Sequence, residues 1–91
     1  MKNYKIVYTT AAEKTIDKLD NQDKERIRNW INTNLEGCNN PRWKGSALTG
    51  NRIGQWRYRV GGYRIVAEIQ DDKVIILIVD VDKRNDVYNK G

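Results

Sequence analysis

The stretch Trp56–Val79, "WRYRVGGYRIVAEIQDDKVIILIV", decides the fold because it contains two hairpin signals in succession. Gly61-Gly62 and Asp71-Asp72 separate runs rich in aromatic and β-branched residues, and such two-residue breaks favour tight hairpin turns. The run Val74–Val79 is apolar throughout, which is typical of an inner strand with both faces covered. We therefore predict three consecutive antiparallel strands, Gln55–Val60, Tyr63–Gln70 and Val74–Val81.

The N-terminal part of the chain predicts one strand followed by two helices. Polar and apolar residues alternate over Tyr4–Tyr8, which indicates a short strand. Thr10 followed by Glu13 forms a capping-box pattern, so we expect a helix to begin there and to end near Leu19 or Asp20. Asp20 or Asn21 can cap a second helix, which Gly37 would stop and whose apolar stripe contains Ile27, Trp30, Ile31, Asn34 and Leu35.

The segment Cys38–Gly54, "CNNPRWKGSALTGNRIG", links the two halves and contains the chain's one proline and three glycines. This composition predicts a connecting loop with little regular structure, in which Trp43 and Leu48 contact the core. The predicted fold is α+β with the order β-α-α-β-β-β. Two N-terminal helices would pack on one face of a mainly antiparallel four-stranded sheet, in a single domain of residues 1–91.

Composition indicates an anionic partner and excludes several classes of site. The chain of 91 residues has 17 Lys and Arg against 12 Asp and Glu, a formal charge of +5, which favours nucleic acid, an acidic membrane surface or an acidic protein. One cysteine and no histidine exclude an internal disulfide and a zinc or iron site of the usual Cys/His type. No cofactor is predicted. Without a recognisable leader or an apolar run of about 20 residues, we expect a cytoplasmic protein and no membrane partner.

The first hairpin concentrates positive charge on one face of the predicted sheet. A two-residue Gly61-Gly62 turn would pair Arg59 with Arg64, and directly paired residues share a face. Alternation would turn the aromatic residues of both strands toward the helices and leave an open face with Gln55, Arg57, Arg59, Arg64, Val66 and Glu68. Such a face is either a solvated basic surface, offset by Glu68 and distant carboxylates, or a binding site for phosphate oxygens.

The stretch "LTGNRIGQWRYRVGGYRIVAEIQDDKVIILIVDVDKRNDVY", Leu48–Tyr88, resembles the RelE/ParE superfamily of bacterial toxin–antitoxin toxins. The resemblance lies in a leucine-glycine loop, a basic strand, a "GYRI" strand, an acidic turn, an apolar strand and a closing "KR...VY". It covers nearly the whole chain and implies the same element order. In the RelE branch it implies a messenger-RNA endonuclease that acts in the ribosomal A site and is neutralised by an antitoxin protein.

The same resemblance implies a set of functional residues. The positions that correspond to the family's active residues are Arg57, Arg59, Arg64, Arg84 and Tyr88. The implied reaction is metal-independent attack of a ribose 2′-hydroxyl on the adjacent phosphate, and the arginines would stabilise the doubly charged phosphorane. Arginine stays protonated and is a poor general base, so proton transfer is assigned to Tyr88, Lys83 or Glu68. Further RNA contacts are expected from Arg42, Lys44 and Arg52.

Two other functions remain open from the sequence. The ParE branch shares the fold and inhibits DNA gyrase, and it lacks the nuclease residue set. Where the RelE archetype has lysines on the basic strand, this chain has arginines. The residue pattern therefore separates the RelE branch from the ParE branch less clearly. A noncatalytic nucleic-acid-binding module would use the same basic face only to hold phosphates, with salt-sensitive binding and no cleavage.

Overall fold

The computed structural model describes residues 3–48, 50 and 54–83. Within them a single sheet has the strand order β1-β5-β4-β3-β2, with β1 parallel to β5 and every other neighbour antiparallel. The elements in chain order are β1 Lys5–Tyr8, α1 Thr10–Asp17, α2 Asn21–Asn34, β2 Ser46–Ala47, β3 Trp56–Val60, β4 Tyr63–Gln70 and β5 Ile75–Lys83. The predicted α+β architecture is confirmed, and β5 is an inner strand as predicted.

The strand count differs from the prediction because the connecting loop contains a short strand. Ser46 pairs with Arg57 and Ala47 pairs with Trp56, so the described sheet has five strands rather than four. The loop sequence has no alternating apolar pattern that could identify β2. Pairing with the edge of β3 makes these two residues a strand.

The first hairpin turn was predicted correctly and the second was not. Val60 pairs with Tyr63 across Gly61-Gly62, where Gly61 has a left-handed φ of 59°. The turn between β4 and β5 takes four residues, 71–74, because Gln70 pairs with Ile75. It is closed by backbone bonds from the Lys73 N–H to the Gln70 carbonyl (3.2 Å) and from the Val74 N–H to the Asp71 carbonyl (3.3 Å).

Helix α1 begins at Thr10, one residue earlier than a cap at Thr10 implies, and it ends at Asp17, before the predicted end near Leu19 or Asp20. Thr9, not Thr10, is the N-cap: its backbone is extended and its hydroxyl accepts the Ala12 N–H at 3.1 Å. The helix ends at Asp17, before Leu19, because Asp20 already caps α2 by accepting the Asp23 N–H at 2.9 Å. The prediction of Asp20 as a cap for the second helix is confirmed.

Both helices pack on the same face of the sheet, and the core lies between them and the strands. The fully buried side chains of the core come from every layer: Ala12 and Ile16 of α1, Ile27 and Ile31 of α2, Tyr58 of β3, Ile65 of β4, and Ile76 and Ile78 of β5. Leu48 is half-buried, but Trp43 is 59% exposed, so the predicted contact between Trp43 and the core is wrong. Among the described residues, no helix is long and apolar enough to cross a membrane.

Candidate functional site

Three arginines lie together on the sheet face opposite the helices, and we call Arg57, Arg59 and Arg64 the arginine face. Arg59 pairs directly with Arg64 across the hairpin, as the sequence predicts, and Arg57 pairs with Val66. Neighbouring strands lie about 4.8 Å apart and residues on one face repeat about every 6.6 Å, so the three guanidinium groups share a small area. This is the geometry that multiple phosphate oxygens require.

Arg57 is held by the short strand β2. Its Nη2 donates a hydrogen bond to the Ser46 hydroxyl at 3.0 Å, in a partly buried position. Because the strand pairing puts Ser46 opposite Arg57, this bond fixes the guanidinium relative to the sheet. Sequence reasoning missed Ser46, since no pattern in the loop indicates that it pairs with β3.

Arg64 is held from the other side by β5. Asp82 pairs with Arg64 in the sheet, and its Oδ2 lies 3.7 Å from Nη2 of Arg64. The Nε atom of Arg64 is buried and makes no hydrogen bond to the described residues. The carboxylate offsets part of the repulsion between Arg59 and Arg64, while the Arg64 and Asp82 side chains stay 40% and 39% exposed.

Val66 forms an apolar floor beside the arginines. It is 1% exposed although it lies on the face opposite the helices, and it does not belong to the main core. Glu68 follows two residues later on the same face, where its Oε1 accepts a bond from the Gln70 amide at 3.1 Å. Val66 pairs with Arg57, so Glu68, two residues further along β4, lies diagonal to Arg57 on the same face. Glu68 is the carboxylate of β4 nearest to Arg57 in this pairing.

Lys83, which is also assigned to proton transfer, is not brought to this face. Lys83 pairs with Tyr63, and the Tyr63 hydroxyl donates to Asp23 of α2 at 2.8 Å, so this pair lies on the helix side. The register thus separates Lys83 from the arginine face. Arg84 and Tyr88 lie outside the described residues.

The three loop residues expected to contact RNA have different positions. Arg42 forms a two-bond pair with Asp71 at 3.1 and 3.0 Å, which raises the pKa of Arg42, and Tyr4 donates to the same carboxylate at 2.6 Å. Asp71 lies at the end of the sheet remote from the Gly61-Gly62 turn, so Arg42 is separated from Arg59 and Arg64. Lys44 stacks over the Trp43 ring at 4.3 Å from its centroid, and Arg52 lies outside the described residues.

The sequence over residues 6–88 matches the family described as the ParE toxin of the type II toxin–antitoxin system parDE. The chain belongs to this toxin family. The predicted membership of the RelE/ParE superfamily is thereby confirmed, and nearly all of the toxin lies within the match. No curated protein matches its sequence.

Solved structures support the same assignment for the toxin. A chain of the toxin–antitoxin complex RelBE2 from Mycobacterium tuberculosis is 26% identical, with a TM-score of 0.82, over 92% of this chain and 94% of that chain. The isolated RelE toxin of E. coli is 25% identical, with a TM-score of 0.73, over 96% and 93%. The archaeal RelE–RelB complex from Pyrococcus horikoshii OT3, at 21% identity, shows the fold alone, with a TM-score of 0.70 over 91% and 97%.

Proposed function

We propose that the toxin is a ribosome-dependent, metal-independent messenger-RNA endonuclease that blocks translation. The observation that carries this proposal is the clustering of Arg57, Arg59 and Arg64 on one open face of a RelE-like sheet. A protein selected only for stability gains nothing from placing Arg59 directly opposite Arg64, because like charges in that position repel. A phosphate bound between them removes the repulsion.

The proposed reaction is attack of a ribose 2′-hydroxyl oxygen on the adjacent phosphorus, with loss of the 2′-hydroxyl proton to a base. The bond from phosphorus to the 5′-oxygen breaks, and that oxygen takes a proton, which leaves a 2′,3′-cyclic phosphate and a 5′-hydroxyl. The phosphorane between these steps carries two negative charges. The Arg57 guanidinium, fixed in advance by Ser46, stabilises that charge without rearranging, and Arg64 joins it when phosphate displaces the weak contact with Asp82.

Proton removal needs a group other than the arginines, which stay protonated. We assign it to Tyr88 or to Glu68, with Arg84 as a fourth cation for the phosphorane. Glu68 has the support of a shared face with Arg57. Tyr88 and Arg84 rest on the family resemblance alone, and Lys83 is given no role because its pairing with Tyr63 places it on the helix side.

The proposed partners are the ribosomal A site with its messenger RNA, and a cognate antitoxin in the same cytoplasm. Structures similar to this toxin include complexes with RelB antitoxins from Mycobacterium tuberculosis and Pyrococcus horikoshii OT3. A net charge of +5 favours an acidic antitoxin segment that covers the arginine face.

The test is primer extension on a defined messenger RNA in a purified translation system. We expect cuts at codon positions with the wild-type toxin, a reduction of about 100-fold or more with Arg64→Ala, and strong loss with Tyr88→Phe. Lys14→Ala on α1 removes a positive charge away from the arginine face and should cut like the wild type. Cleavage that survives Arg64→Ala would overturn the role given to the arginine face.

DNA gyrase inhibition is the second candidate, because the matched family is described by its ParE toxin. A supercoiling assay with purified gyrase separates the two. Inhibition of supercoiling together with an uncut messenger RNA would replace the nuclease proposal by the ParE function. Salt-sensitive binding to RNA with neither activity would leave a noncatalytic binding module.

A further inference from the structure

A cleft of about 420 Å³ lies at the outer edge of β3, beside the point where β2 ends. The residues that line it include two aromatic residues, three basic residues and a serine: Trp30, Tyr58, Lys44, Arg57, Arg59 and Ser46. The described residues that line it include no carboxylate. This volume falls within the range of small-ligand sites, and the charge favours an anionic occupant.

Local sequence explains why the cleft has this shape. Gly45 has a left-handed φ of 84°, and a Cβ there would overlap the Arg57 carbonyl oxygen, so only glycine lets the loop come this close to β3. The Trp56 indole N–H donates to the Lys44 carbonyl at 2.6 Å and pins the loop beside the strand. Lys44 is thereby held at the mouth of the cleft.

Trp30 and Tyr58, the two aromatic residues of the cleft, pack against each other, and Trp30 is partly open to solvent. The Trp30 and Tyr58 rings pack 5.6 Å apart at 51°, with Tyr58 fully buried and Trp30 half-buried. The Tyr58 hydroxyl donates to the Pro41 carbonyl at 2.5 Å, which fixes the buried ring behind Trp30. Trp30 is therefore the partly exposed aromatic residue of the cleft, and its contact with Tyr58 supports it.

The sheet edge adds polar backbone groups to the cleft. The Leu48 N–H bonds the Gln55 carbonyl, and β2 pairs with β3 as far as Arg57, so alternation turns the backbone N–H and carbonyl of Arg59 outward. No described strand pairs with β3 beyond Arg57 on this side. The edge of β3 thus adds the backbone groups of Arg59 to the aromatic and basic residues of the cleft.

We infer that this cleft binds one base of a single-stranded RNA whose neighbouring phosphate lies on the arginine face. Arg57 and Arg59 border the cleft and carry their side chains on the arginine face, so the cleft and the arginine face meet at the edge of β3. The base contacts Trp30, and Lys44 holds a flanking phosphate, as in other single-strand sites built from rings and cations. This inference rests on the proposed function and adds a base-contacting subsite to it.

An added peptide strand is the competing occupant, because Arg59 offers unpaired backbone groups. Such a strand would use the edge of β3 but would not require a partly exposed tryptophan beside basic residues. The RNA base accounts for both features. Binding of an acidic peptide at this edge, without binding of RNA, would overturn the inference.

The test is nuclear magnetic resonance of the full-length toxin without ribosomes, with the trinucleotide rAAA as the probe. We expect the Trp30 indole N–H signal to shift on titration, and to shift far less with a trinucleotide of the same phosphates whose central base is absent. Equal shifts with the two trinucleotides would show that phosphates alone are bound, and would overturn the inference. So would shifts confined to the backbone of Arg59 with an acidic pentapeptide and none with rAAA.

Two substitutions measure the contacts. Trp30→Leu keeps an apolar side chain over Tyr58 and should weaken rAAA binding about tenfold. Lys44→Gln lies in the loop, outside the core, and should weaken it by a factor of about three, whereas Lys73→Gln in the β4–β5 turn should leave it unchanged. Unchanged affinity in Lys44→Gln and in a folded Trp30→Leu would overturn the inference.

The inference and the proposed function can fail separately. Codon-positioned cleavage with no Trp30 shift would remove the base subsite and keep the nuclease. A Trp30 shift that depends on the base, with no cleavage on ribosomes, would keep the subsite and remove the nuclease. If both hold, Trp30→Leu should change which codons are cut more than it changes the total amount of cleavage.

Discussion

Arg64 shows how one side chain can be held ready for an anion at little cost. It faces Arg59 on one side and Asp82 on the other, so each neighbour in the sheet carries a full charge. The separation of 3.7 Å from Asp82 is long for a hydrogen bond, and the pair is partly exposed, so it contributes less than about 1 kcal/mol. A phosphate can therefore displace this contact.

Replacing Asp82 with asparagine should strengthen RNA binding and slightly weaken the fold. Asp82→Asn removes the negative charge beside Arg64, so affinity for a short single-stranded RNA at low salt should rise about two- to fivefold. The unfolding free energy should fall by less than about 1 kcal/mol, because the repulsion between Arg59 and Arg64 is no longer offset. Fluorescence anisotropy and urea denaturation measure the two effects.

The control for this substitution is Asp72→Asn, which changes the net charge equally in the exposed β4–β5 turn. It should leave RNA affinity within a factor of about 1.5. An equal gain in both variants would mean that net charge, and not the carboxylate beside Arg64, controls binding.

At this scale the sequence predicts which arginines share a face but not what holds them. Alternation and a two-residue turn suffice to bring Arg59 opposite Arg64. Ser46 and Asp82 depend on pairings between distant parts of the chain, and a register shift between Val66 and Ala67 moves β5 relative to β4. The pair between Arg42 and Asp71, 29 residues apart, has no local signature either.

Among the elements, α1 shows how a strand decides where a helix begins. Thr9 and Thr10 are chemically alike, and the sequence pattern favours Thr10 because Glu13 follows it at capping-box spacing. However, the Thr9 N–H donates to the Ile78 carbonyl at 3.0 Å, so Thr9 still belongs to the ladder between β1 and β5. Its extended backbone leaves the hydroxyl beneath the first turn of the helix, and this makes it the cap.

This assignment predicts different effects for two neighbouring threonines. Thr9→Ala should lower the unfolding free energy by about 1 kcal/mol, because the Ala12 N–H loses its acceptor. Thr10→Ala, at an exposed helical position, should change it by less than about 0.5 kcal/mol. Urea denaturation of both variants decides between them, and a larger loss in Thr10→Ala would restore the cap that the sequence pattern suggests.

Across the whole molecule, Tyr58 contacts both helix α2 and the connecting loop, two segments that the sequence patterns describe independently. Its ring is fully buried against Trp30 of α2, and its hydroxyl bonds the Pro41 carbonyl of the loop. Alternation along β3 predicts that Tyr58 faces the core, but the bond to the loop spans 17 residues and could not be predicted.

The same burial predicts a loss of stability at alkaline pH. Burial raises the pKa of the Tyr58 phenol above its ordinary value of about 10, so the folded state keeps a proton that the unfolded state releases. The contribution of Tyr58 is complete below pH 10 and is lost as the pH rises further, so the unfolding free energy should fall above about pH 10. Hydrogen bonds to Asp71 and Asp23 raise the pKa of Tyr4 and Tyr63, and these add to the same slope.

The substitution Tyr58→Phe measures how much Tyr58 contributes to the loss of stability at alkaline pH. The variant should lose about 1 to 3 kcal/mol at pH 7, because the Pro41 carbonyl is left without its buried donor. Above pH 10 its unfolding free energy should fall less steeply than that of the wild type, since phenylalanine has no proton to release. Urea denaturation at intervals from pH 7 to pH 11 measures both. Parallel pH profiles for the two proteins would mean that Tyr58 does not control the alkaline limit of stability. The slope of unfolding free energy against pH should then change in Tyr63→Phe, because the Tyr63 hydroxyl donates to Asp23.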